Sequence, residues 1–205
     1  LMGLDPNKFR KLDNLIKNKK FLNALIQNTN SILYFSKTKK FNSIILNYDQ
    51  KSKYLFLWYQ QLVAESLGKK GKGILPVISD MPKDNHSVMQ LYIDGFKNNF
   101  FTFFYCKESQ TDRISNNNLL KNYKFLKNHC VDDIIFKQKI ATEKVFDKQN
   151  IPYRSFEIRT RNEKSLGELF CYFILETILL GKSLNVNPFD QPSVELIKTE
   201  TRKLF

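Results

Sequence analysis

At 205 residues, 42% hydrophobic and 14% aromatic, the chain has the side chains to fill one sizeable core, and a single domain spanning residues 1–205 is expected. The longest apolar run, Leu169 to Leu180, is cut by Glu176 and Thr177, well short of the roughly 18 to 20 uninterrupted apolar residues of a bilayer span. A net charge of +13 would suit a nucleic-acid partner, yet it is carried mostly by Lys scattered from Lys8 to Lys203 beside abundant Asn, without a compact Arg cluster. Neither a membrane nor a nucleic-acid partner is therefore expected. The opening Leu1-Met2-Gly3-Leu4-Asp5-Pro6 has no charged n-region or apolar h-region, and Cys106, Cys130 and Cys171 lie far apart without C-x-x-C spacing. A soluble, cytoplasmic protein with reduced cysteines and no metal is the expectation.

In chain order, Phe9, Leu12, Leu15 and Ile16, then Phe21, Leu22, Leu25 and Ile26, recur at three- and four-residue spacing and predict one or two amphipathic helices. The short apolar run Ser43 to Tyr48 predicts a buried strand. From Tyr54 to Leu67 the helical pattern returns and stops at Gly68, a good C-cap residue. Gly73 to Ile78 predicts a second strand, with Pro76 tolerable at a sheet edge or a strand end. His86 to Ile93 reads as a short helix that Asp84 could cap, ending at Gly95, and Phe100 to Cys106 as a strongly apolar strand. Asn116-Asn117-Asn118 marks a loop. Val131 to Lys148 predicts a long helix, Tyr153 to Arg159 an alternating strand, and Leu166 to Leu180 a buried helix capped by Gly181. Asp190 can cap a last helix running to Phe205, with Pro192 in its first turn. Strands separated by helices of ten or more residues argue for βαβ units. The expected fold is a three-layer α/β/α sandwich, with four or five strands in a mostly parallel, doubly wound sheet.

Two blocks stand out from this pattern. Trp58-Tyr59-Gln60-Gln61-Leu62-Val63-Ala64-Glu65-Ser66-Leu67-Gly68-Lys69, followed by Lys83-Asp84-Asn85-His86-Ser87, resembles the middle of the phosphoglucose isomerase (glucose-6-phosphate isomerase) family, which has an acid in "ESxGK" and then a histidine. Asn187-Pro188-Phe189-Asp190-Gln191-Pro192-Ser193-Val194-Glu195, through Lys198, resembles the same family's C-terminal motif. The resemblance implies the second of two sugar-isomerase (SIS-type) domains plus the C-terminal segment. It implies an enzyme that interconverts glucose 6-phosphate and fructose 6-phosphate without a cofactor, working as a homodimer.

Aldose–ketose interconversion needs a base to carry a proton between C1 and C2 through an enediol. Glu65 is the candidate, with Gln61 four residues earlier on the same helical face and able to bind a sugar hydroxyl. On its residues alone Glu65 also reads as a surface carboxylate; the resemblance makes it the base. His86 titrates near neutrality, as ring opening requires, but fits a structural role at a helix start equally well. The resemblance implies that it assists ring opening in the neighbouring subunit's site. Lys198 is seven residues from Gln191 and so expected on its face, and is equally an ordinary i, i+3 ion-pair partner for Glu195. The resemblance places Lys198 at the ring oxygen and Gln191 beside it. Ser193 stands where the family usually has Gly. The chain contains no Gly-Gly-Arg, the family motif whose arginine stabilises the enediolate, and Lys69-Lys70-Gly71-Lys72-Gly73 lacks the phosphate-loop pattern and reads as an exposed turn. Weak activity of these residues on their own is therefore expected. The alternative is a SIS-like domain that binds a sugar phosphate and catalyses nothing.

Overall fold

The structure is a computed structural model that describes residues 5–10, 12–107, 113–114 and 121–205. The expected loop at Asn116-Asn117-Asn118 lies outside the described residues. The amphipathic opening forms three helices: α1 (Pro6–Arg10), α2 (Asp13–Ile16) and α3 (Lys19–Lys37). Asn18 separates the last two by capping α3, its side-chain oxygen accepting from the amides of Lys20 and Phe21.

β1 (Asn42–Asn47) leads to α4 (Lys53–Leu67), which crosses back to β2 (Leu75–Asp80). α5 (Met89–Asp94) precedes β3 (Asn99–Cys106), α6 (Val131–Lys148) precedes β4 (Tyr153–Ile158), and α7 (Glu163–Ser183) and α8 (Pro192–Lys203) close the chain. All four strands pair in parallel in the order β2-β1-β3-β4. The winding reverses between β1 and β3, which makes the sheet doubly wound. Pro76 sits on the edge strand β2, where its missing N–H costs no ladder bond.

Helices cover both faces. Alternation along β1 sends Ile45 toward α3, α4 and α7, and Ile44 and Leu46 toward α5 and α6. Every residue of the central strand β3 is buried, which explains a run of aromatics where a half-exposed strand would alternate. Phe104 meets Phe56 of α4 edge-on at 4.8 Å, and on the other face Phe101 meets Phe146 of α6 at 4.8 Å. Each such buried ring contributes about 1.5–3 kcal/mol.

Three local expectations change. α7 does not stop at Gly181 but runs through it to Ser183, and a Cβ at Gly181 would lie 3.1 Å from the Pro188 Cβ: this glycine is a close-approach position, not a cap. Asp84 caps no helix at His86. The chain makes a 3-10 turn over Lys83–His86, and Asp84 closes it by accepting from the Asp80 amide at 2.8 Å and the Ser87 hydroxyl at 3.2 Å. The cap position of α8 belongs to Gln191, not Asp190. No helix among the described residues is long and apolar enough to cross a membrane.

Candidate active site

α4 turns Leu55, Phe56, Tyr59, Val63 and Leu67 into the core, and this leaves Gln61 exposed and Glu65 half-buried on its outer side. One helical turn apart, the Gln61 amide donates to Glu65 Oε1 at 3.0 Å. The chain then reverses through Lys69–Gly73, with Lys70, Gly71 and Gly73 at positive φ, to enter β2. A Cβ at Gly73 would meet the Gly68 Cα at 3.1 Å on a φ of +142°, so only glycine fits this turn without strain.

The segment after α7 folds back over this turn. Lys72 Nζ donates to the Leu184 carbonyl at 2.6 Å, and Lys69 Nζ reaches the Asn187 carbonyl and the Asp190 carboxylate, the latter at 2.8 Å. Gln191 thereby arrives opposite the end of α4 and donates from Nε2 to Glu65 Oε2 at 2.7 Å. Each oxygen of the Glu65 carboxylate accepts one amide N–H and retains a lone pair for a further partner. A cleft of about 230 Å³ opens beside it, lined by Glu65, Gly68, Lys69, Gln191 and Ser193 among others. Such a carboxylate, oriented from both sides and open to a cleft, can exchange a proton with a bound C–H acid.

Of the five expected site residues the structure brings Gln61, Glu65 and Gln191 together and leaves two apart. His86 is exposed at the end of its 3-10 turn and, among the described residues, has no hydrogen-bond or ion-pair partner. It follows the carboxyl end of β2, whereas Glu65 lies near the amino end of that strand; six residues of strand span about 20 Å. Lys198 pairs with Glu195 at 2.7 Å, the ordinary i, i+3 contact. Gln191, with ψ at 59°, sits at the mouth of α8, so the seven-residue spacing does not place it on the helical face of Lys198.

The spacing argument missed Lys69 and Asp190. The turn is not wholly exposed, since the Lys69 side chain is only 10% accessible. The available signal was position: each residue sits inside one of the two resembling blocks. Among the described residues no three His, Cys, Asp or Glu side chains group as metal ligands would.

Fold and site together define a doubly wound α/β protein with a carboxylate held between two side-chain amides at the amino edge of its sheet. No family model matches the chain. It is 32% identical to a glucose-6-phosphate isomerase of Methanocaldococcus jannaschii over 200 residues, 95% of this chain and 49% of the relative. It is 31% identical to a probable glucose-6-phosphate isomerase of Methanococcus maripaludis over 90% of this chain and 40% of that protein. A crystal structure of a hypothetical protein from Thermus thermophilus superposes with a TM-score of 0.87 at 22% identity, over 98% of this chain and 50% of that one. A glucose-6-phosphate isomerase from Chlamydia trachomatis does so with a TM-score of 0.63 at 16% identity, over 80% and 34%. These two likenesses show the fold. The chain belongs to the glucose-6-phosphate isomerase family, and it spans about half the length of the curated relatives it matches.

Proposed function

We propose that this chain is the C-terminal half of an aldose–ketose isomerase that interconverts glucose 6-phosphate and fructose 6-phosphate. The observation that carries the reading is the Glu65 carboxylate, oriented by Gln61 from its own helix and by Gln191 from a block 126 residues further on. Glu65 takes the proton from C2 of the open-chain aldose, which leaves an enediol with its negative charge on oxygen. A proton passes from the C2 hydroxyl to O1, and the protonated Glu65 then gives its proton to C1, which regenerates the carboxylate and leaves a hydroxyl at C1 and the carbonyl at C2. No atom is gained or lost, and no metal or organic cofactor is needed, so turnover should survive excess chelator. Gln61 and Gln191 fix the carboxylate and offer their remaining polar atoms to sugar hydroxyls. Groups that hold the phosphate and the enediolate belong to the preceding half of the family's chain, which supplies the electrostatic part of catalysis.

The expected result is little or no isomerase activity from these 205 residues alone, and robust activity once they are joined to the N-terminal half of a full-length relative. A coupled assay for glucose 6-phosphate reads both. High turnover by this chain alone would overturn the division of labour.

Homodimerisation is part of the proposal. Glu65 and His86 lie near opposite ends of β2, a strand about 20 Å long, too far apart for both to touch one hexose within one chain, so a second copy would supply His86. Mixing an inactive Glu65→Gln enzyme with a His86→Ala enzyme tests this, because a hybrid dimer then contains one site with both native residues. Activity should reappear on mixing and subunit exchange. Persistently absent activity in hybrids confirmed by mass would show that the sites do not share residues.

A further inference from the structure

α8 is held to the body by polar contacts rather than by packing. None of its residues is buried; Leu196 and Ile197 are each 68% exposed. What fixes its start is the segment before it. Pro188 lies against Gly181, Lys72 holds the Leu184 carbonyl, and Lys69 holds both the Asn187 carbonyl and Asp190. Lys69 is unlike the exposed pairs Lys198–Glu195 and Lys203–Glu200. Its side chain is nine-tenths buried, and its ammonium bridges two points of one short segment. The two blocks that resemble one enzyme family are thus joined physically by Lys69 and Asp190, and the adjacent Gln191 is delivered to Glu65.

We propose that Lys69 is a positioning residue: its clasp on Asn187 and Asp190 seats Gln191 against Glu65 and sets where α8 begins. The catalytic consequence rests on the isomerase reading above; the clasp itself does not. The Lys69 hydrogen bond, with a smaller contribution from its charge, holds the Asp190 carboxyl below the ordinary carboxylate range. The charged groups about it are Lys69, and Glu65 one hydrogen bond away through Gln191. A depressed carboxyl value means that the clasp is fully made above about pH 4, the ordinary value for Asp, and is lost as pH falls through the lower folded value.

Amide hydrogen exchange and carboxyl NMR titration of the 205-residue chain test this, with Lys69→Met, Lys69→Arg and Asp190→Asn. Lys69→Met should lower protection across residues 189–195 at least about tenfold while β3 keeps its protection. It should also return Asp190 to an ordinary carboxyl value of about 3.9. Lys69→Arg, which keeps the charge and the donors, should restore most of both. Asp190→Asn, a change at a half-exposed side chain, should reproduce the loss with Lys69 in place, and combining it with Lys69→Met should add little. In the isomerase assembled with an N-terminal half, Lys69→Met should lower kcat about tenfold or more, with KM within about threefold. Unchanged protection at 189–195 in both Lys69→Met and Asp190→Asn would overturn the clasp, whatever the assay gives. If instead protection falls but Glu65→Gln leaves turnover intact, the clasp stands and the isomerase reading falls.

Discussion

Glu65→Gln, made in an isomerase assembled from this chain and the N-terminal half of a full-length relative, is expected to lower kcat by about 10² to 10⁴, the contribution of a positioned general base. The substitution keeps the side-chain volume but removes the carboxylate proposed to accept the C2 proton. It also leaves one acceptor oxygen where two amide donors, from Gln61 and Gln191, now converge. Part of any loss could therefore come from misorientation, and Gln191→Leu separates the two effects. That variant removes a donor while keeping the base, and should cost about tenfold. KM for fructose 6-phosphate should change little in either case, because the proposed base acts on the reacting carbon rather than on the phosphate. A Glu65→Gln enzyme within about a factor of two of wild type would show that another group moves the proton.

Most of the layer architecture was legible because strands and helices here differ in period. The apolar run at Phe100–Cys106 is β3 almost to the residue, and Val131–Lys148 is α6 at both ends. Legibility failed where a residue serves a contact distant in sequence. Gly181 reads as a helix stop because glycine is a poor helix residue, yet it lies inside α7 where Pro188 needs the space. Asp84 and Asp190 both read as caps from their neighbours; one closes a 3-10 turn and the other meets Lys69 from far along the chain. The same division runs through the candidate site. Gln61 and Glu65 meet by helical periodicity, which a sequence displays. The contact of Gln191 with Glu65 depends on how the segment after α7 returns across the end of α4, and no local pattern encodes that path. The distance between Glu65 and His86 became an argument only once the strand order placed them near opposite ends of β2.

The largest effect on stability is expected from Glu176→Gln. Glu176 interrupts the apolar stretch of α7 and is only 1% exposed; it binds the Arg154 guanidinium of β4 through two bonds, one of them 3.0 Å, while Arg154 Nε donates to the Thr102 hydroxyl at 3.0 Å. Burial lowers the hold of the guanidinium on its proton, and the Glu176 carboxylate beside it more than offsets this, so the net shift is upward and the guanidinium is charged. The neighbouring Tyr59 hydroxyl, pushed up to about 12 by its own burial, brings no second negative charge at neutral pH. Removing the carboxylate leaves a cation inside the fold with no counter-charge. The expected cost is about 3–5 kcal/mol, seen as a fall of at least about 1 M in the urea midpoint. Glu195→Gln, which breaks an exposed pair, should cost no more than about 1 kcal/mol. The double variant Arg154→Met with Glu176→Leu should lose less than Glu176→Gln alone, because buried apolar groups need no partner. A Glu176→Gln chain within about 1 kcal/mol of wild type would mean that water reaches the guanidinium. The pair also bears on the site. α7 carries Gly181 and the segment that delivers Gln191, so an α7 loosened from β4 would move the second amide off Glu65 even with Lys69 and Asp190 intact.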